Sequence, residues 1–136
     1  MASGALVDTK IGDNAVFAPD KFFDGQALAS TGATTSGEFL FAQTLGTTEL
    51  QVQAVGVVAT GAGETLVISV TASPTSGGSF AEIASFTVAA STTFADRDVI
   101  AAFVAPADLA DCYTKVTVTS DFDATGLDVD GVVTIV

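Results

Sequence analysis

The chain has 136 residues, 49% of them hydrophobic, with no His, no Trp, one Cys and one Tyr. Its 16 Asp and Glu oppose 4 Lys and Arg, for a net charge of −12. That balance argues against a nucleic-acid or anionic-membrane partner, which needs clustered cations, and the lack of His removes the side chain that most often carries protons at neutral pH.

A chain of this length predicts one domain with a real core. No run approaches the roughly 18 uninterrupted apolar residues of a spanning helix, so no helical membrane segment is expected. So much apolar side chain with so few charges predicts that a lone copy exposes apolar surface, the usual mark of a contact with another protein. The net negative charge keeps exposed faces apart in solution. Met1–Lys10 has neither a basic n-region nor an apolar h-region, and the lone Cys112 cannot close an intrachain disulfide; both fit folding in a reducing cytoplasm. Beside Asp111 and without a basic partner, Cys112 reads as a plain thiol rather than a nucleophile.

In chain order, residues 1–25 read as an arm in which Gly4, Gly12, Pro19 and charges interrupt Phe17, Phe22 and Phe23. Too few apolar positions are periodic for it to fold alone. Phe17, Phe22 and Phe23 therefore stand as candidate interface anchors, with packing against their own subunit as the alternative. Ser30–Gly37 (STGATTSG) reads as a polar turn region. From Glu38, Phe39 and Phe41 share a face, and Leu50, Val52 and Ala54 alternate along the next strand. The phase then slips to Val55 and Val57, with a bulge or bend expected at Gly56. Thr60–Gly63 turns into Glu64–Ala72, where Leu66, Ile68, Val70 and Ala72 alternate with Thr65, Ser69 and Thr71.

Ser73–Ser79 is a loop by composition, with Pro74 ending the strand. Phe80–Val88 places Phe80, Phe86 and Val88 on one face. Asp98–Val104 is apolar on both faces, as expected of a strand in the middle of a sandwich or at a subunit contact. Pro106 stops it. Tyr113–Ser120 buries Val116 and Val118 while exposing Lys115, Thr117 and Thr119, and Asp128–Val136 closes the chain with Val129, Val133 and Ile135 in phase. About eight strands, no amphipathic helix and no internal repeat predict an all-β, antiparallel two-sheet sandwich over residues 26–136, preceded by the arm at 1–25.

Asp121, Asp123, Thr125, Gly126, Asp128 and Asp130 resemble the opening of a calcium loop. The twelfth position from Asp121 is Val132 where an EF-hand needs a bidentate Glu, so the segment reads as a solvated acidic hairpin connection, with a weak divalent-ion site of another geometry as the alternative. A glycosidase needs only two carboxylates at a set separation. Glu38, Glu49, Glu64 and Glu82 are the available ones, and none has a distinctive neighbourhood. Without Trp and with one Tyr there is no aromatic platform for a sugar. No catalytic residue, cofactor or metal site is expected, and the chain reads as a structural or binding protein rather than an enzyme.

The order of features resembles the jelly-roll cement, or decoration, proteins that coat the capsids of tailed bacteriophages. The likeness runs from an arm leading into Phe23, Asp24, Gln26 and Ala27 and a Thr/Ser/Gly stretch, through the Leu66–Thr71 strand and the Ser/Pro/Gly loop before Phe80. It continues to Pro106-x-x-Leu109 ahead of Tyr113 and a final Val-rich strand. The resemblance implies a jelly-roll homotrimer at threefold positions of an icosahedral shell, on the virion surface, clamping neighbouring major capsid protein subunits and made in the host cytoplasm. Two other classes stand beside it: a calcium-assisted lectin or adhesin module, and another virion component such as a head fibre or tail protein.

Overall fold

The computed structural model describes residues 21–40, 48–104 and 112–135. They form eleven strands and no helix: β1 (Lys21–Ala27), β2 (Ser30–Thr35), β3 (Phe39–Leu40), β4 (Thr48–Val55), β5 (Val58–Ala59), β6 (Leu66–Ser73), β7 (Ala81–Val88), β8 (Thr93–Phe94), β9 (Val99–Val104), β10 (Tyr113–Asp123) and β11 (Asp128–Ile135). One sheet has the order β1-β11-β4-β9 and the other β2-β10-β6-β7, with β3 also beside β10. The short β5 and β8 pair with each other. Every pairing is antiparallel, and the two larger sheets enclose one core, a β-sandwich.

Period-2 alternation explains that core. Leu66, Ile68 and Val70 of β6 and Val116 and Val118 of β10 turn inward from one sheet; Leu50, Val52 and Ala54 of β4 and Val129 of β11 turn inward from the other. Strict alternation over β6 and β10 fixes their register from Tyr113 opposite Ser73 to Ser120 opposite Leu66, because a one-residue slip would turn every one of these side chains to solvent. Ile68 is fully enclosed, and burying such a side chain contributes about 1.5–3 kcal/mol.

Several sequence expectations are corrected. Ser30–Gly37 is not a turn: its first six residues are β2, paired with β10. Branched Thr side chains suit a pleated surface, and Thr35 Oγ1 meets Thr117 Oγ1 at 3.1 Å across the pair. The inward phase of β4 does not slip to Val55 and Val57. Gly56 takes a left-handed φ of 70°, its N–H donates to Asp96 Oδ1 at 2.7 Å, and the resulting bend leaves Val57 exposed while Val58 is buried.

Phe80 does not share a face with Phe86 and Val88. The β6–β7 register shifts between Val70 and Thr71, which pair with Ala84 and Glu82, so Ile83 is the extra residue of a bulge and reverses the facing of all that precedes it. Phe80 thus lies on the outer side, where Lys115 Nζ stands 4.3 Å from its ring centre. The acidic connection from Asp123 to Asp128 is not a hairpin within a sheet, since β10 and β11 belong to different sheets. Residues 21–25, read as the end of the arm, are the first part of β1. Phe41, Pro106 and Leu109, and the arm up to residue 20, lie outside the described residues.

Candidate interaction surface

The aromatic residues expected at an interface divide. Phe17 lies outside the described residues. Phe23, 3% exposed, belongs to the core of its own chain, and Phe22 packs against that core half-buried. A register break between Lys21 and Phe23 lets these consecutive side chains both turn inward. Phe22 stacks on Phe39, ring centres 5.3 Å apart, and tilts against Phe23 at 5.4 Å. The ring of Phe22 also occupies the space a side chain at position 131 would fill, so Gly131 on β11 is required by close approach.

Three of the four carboxylates of the acidic segment, those of Asp121, Asp123 and Asp130, are bonded within the fold. Asp121 accepts from the Thr65 N–H at 2.8 Å and from its hydroxyl at 2.9 Å. Asp123 accepts from the Thr125 hydroxyl at 2.6 Å and its N–H at 3.1 Å. These bonds hold both carboxyls below the usual carboxylate range. Asp130, expected in a solvated turn, is instead 4% exposed. Its Oδ1 accepts from the Gly25 N–H at 2.7 Å, and its Oδ2 takes Lys21 Nζ at 3.1 Å and Arg97 Nη1 at 3.5 Å. Burial opposes the charge on Asp130, but the Gly25 N–H, Lys21 and Arg97 outweigh it and keep the carboxyl low; the same hydrogen bond raises Lys21. Central β11 is thereby tied to β1 at one edge and to the turn before β9 at the other.

The four Glu residues considered for a carboxylate pair sit on separate elements. Glu38 accepts from the Ser76 hydroxyl at 2.8 Å and the Gly77 N–H at 2.9 Å, which lowers its carboxyl. Glu64 caps its own turn by accepting from the Gly61 N–H at 2.6 Å. Glu49 accepts from Gln51 at 2.6 Å, and Gln51 from Gln53 at 3.0 Å, a ladder along the outer side of β4. Glu82 is exposed on β7. Among the described residues, no three His, Cys, Asp or Glu come close enough together to hold a metal ion.

Among the described residues, exposed apolar side chains gather on one flank. Strands β7 and β9 are edges of the two different sheets and approach each other across the sandwich. Among the described residues five large apolar side chains are exposed, and four of them lie on these two strands: Ile83 at 43%, Phe86 at 45%, Val99 at 45% and Val104 at 61%. Among the described residues the Asp98–Val104 segment is an edge rather than a central strand, and burial among them does not explain its two-sided apolarity. The eight residues of β7 and six of β9 carry a single charge, Glu82. Sequence reading flagged β9 but missed Ile83 and Phe86, because only the bulge and the edge position expose them. Comparison with protein-family models, curated proteins and solved structures returned no match to this chain.

Proposed function

We propose that this chain is an eight-stranded jelly roll that decorates and stabilises an icosahedral phage capsid, seated as a homotrimer between major capsid protein subunits. The strand order carries the reading. With the two-residue β3, β5 and β8 set aside, eight strands fall in chain order as 1-8-3-6 in one sheet and 2-7-4-5 in the other. That order supports the double Greek-key wrapping of a jelly roll, an architecture of viral capsid and lectin domains.

Between those two uses, the side chains favour the structural one. The carboxylates a calcium-assisted lectin or adhesin would draw on are engaged by Thr65 and Thr125, whereas an apolar, charge-poor flank suits assembly. The mechanism needs no active site and no cofactor. Many modest contacts repeated over one particle add to a large stabilisation of the shell, and the acidic remainder of the surface keeps decorated particles dispersed. The protein acts on the outside of the virion after synthesis in the host cytoplasm.

Light scattering of the purified chain tests the assembly state. A particle of about 41 kDa, three times the 13.6 kDa chain, unchanged on dilution and chelation, is expected for a closed ring. A monomer whose melting temperature rises with calcium would move the protein to the lectin or adhesin class, and open-ended polymers would move it to a fibre or tail component.

A further inference from the structure

We propose that the β7/β9 flank is the surface through which copies of this chain join, with β9 of one copy lying against β7 of the next. The assignment rests on the trimer reading above and names the surface that makes the trimer.

Three observations carry it. First, β9 is an edge strand of sequence VIAAFV, with no charged or polar side chain. Sheet edges are ordinarily blunted by charge, bulges or twisting; β7 and β9 each carry one bulge, at Ile83 and Ile100, but β9 has no charge, whereas the two edges on the opposite flank are blunted further. β1 carries Lys21 and Asp24 and two register breaks; β2 is distorted by left-handed Thr31, φ 59°, and by Gly32, φ 140°. Second, four of the five exposed large apolar side chains among the described residues gather on β7 and β9, so association there removes from water the apolar surface that folding left exposed.

Third, the chain's net charge of −12 makes copies repel wherever their acidic surfaces meet. Charges farther apart than about 8–10 Å are screened at physiological salt, so what decides approach is the charge on the surfaces in contact. The strands of this flank carry Glu82 alone, with Glu49 opposite Val104 and Asp98 beside Val99 at its margin. The flank offers two unlike edges, Val99, Ala102 and Val104 on one and Ile83 and Phe86 on the other. A contact of unlike edges is heterologous, and such contacts make rings when the rotation closes.

The test compares three proteins by light scattering and thermal melting: the wild type, Val104→Asp/Phe86→Asp, and Ala33→Asp, an exposed position on β2 at the opposite flank. The expected result is about 41 kDa for the wild type and Ala33→Asp, and 13.6 kDa with a cooperative melt for the flank variant. A flank variant that stays trimeric would overturn the assignment and leave the trimer reading standing; a wild type that is monomeric at all concentrations would overturn both. Cross-linking keeps the question answerable if the flank variant does not fold. In a Cys112→Ser background, Ile83→Cys/Val104→Cys treated with a short bis-maleimide should run as a covalent trimer under denaturing conditions, with each single variant running as a monomer. A trimeric double variant that gives no cross-link would also overturn the assignment.

Discussion

Removing the Asp130 carboxylate should loosen the first sheet by an amount its three partners set. The Gly25 N–H bonded at 2.7 Å loses its acceptor in Asp130→Ala, and a part-buried donor left unpaired costs about 1–3 kcal/mol. Lys21 and Arg97 are 41% and 70% exposed at the side chain, so each rehydrates and forfeits only the ~0–1 kcal/mol of an exposed pair. Together this gives about 1–5 kcal/mol for Asp130→Ala, and about 0–2 kcal/mol for Asp130→Asn, which keeps an oxygen for Gly25. With a urea slope of about 2 kcal/mol/M, the Ala variant should unfold roughly 0.5–2.5 M earlier at pH 7 with its slope unchanged. Asp24→Asn, removing the 85%-exposed second partner of Lys21, should leave the midpoint in place.

The pH dependence has a fixed sign. The folded carboxyl of Asp130 is held below its ordinary value, so its contribution is complete above the unfolded carboxylate pKa of about 3.9 and disappears as pH falls through the folded value. The gap between wild type and Asp130→Ala should therefore close in acid. An Asp130→Ala protein with the wild-type midpoint at pH 7 would refute the claim that this carboxylate ties β1 and the β9 turn to β11.

Gly131→Ala should cost about 1–3 kcal/mol in urea melts, because its methyl meets the Phe22 ring held by Phe23 and Phe39; Phe22→Leu should recover part of that loss. Deleting residues 1–25 should prevent cooperative folding, read by circular dichroism, since it removes most of β1 and the buried Phe23, a loss above about 3–5 kcal/mol against a total of about 5–15. Millimolar calcium should leave the melting temperature unchanged, because Thr65 engages both Asp121 oxygens and Thr125 engages Asp123 Oδ1 twice; a rise abolished in Asp121→Asn/Asp123→Asn would contradict this.

Alternating strands were legible because alternation is the direct trace of a half-buried sheet. Leu66, Ile68 and Val70, Val116 and Val118, and Leu50, Val52 and Ala54 all turn inward as their spacing requires. Two misreadings came from backbone events that spacing does not reveal. The bulge at Ile83 reversed the facing of what precedes it and sent Phe80 outward, whereas the Gly56 bend left the inward phase of Leu50, Val52 and Ala54 intact at Val58. Ser30–Thr35 looked like a turn because its strand character comes from Thr on an exposed pleat rather than from apolar alternation.

The Asp130 tie was beyond local reading, because its partners Lys21 and Gly25 lie 109 and 105 residues away in sequence. The proposed interaction surface was half visible. Two-sided apolarity marked β9, and only its place at the end of a sheet tells that the second side faces outward.

The most direct test of the proposed capsid role is to mix the purified protein with undecorated shells of the tailed phage proposed to encode it, sediment the particles, and reconstruct them by electron cryomicroscopy. The account predicts co-sedimentation that saturates and three-lobed density at the threefold positions between major capsid subunits, with shells that withstand more heat than bare ones. Shells that sediment without the protein, and melt as they did before its addition, would contradict it.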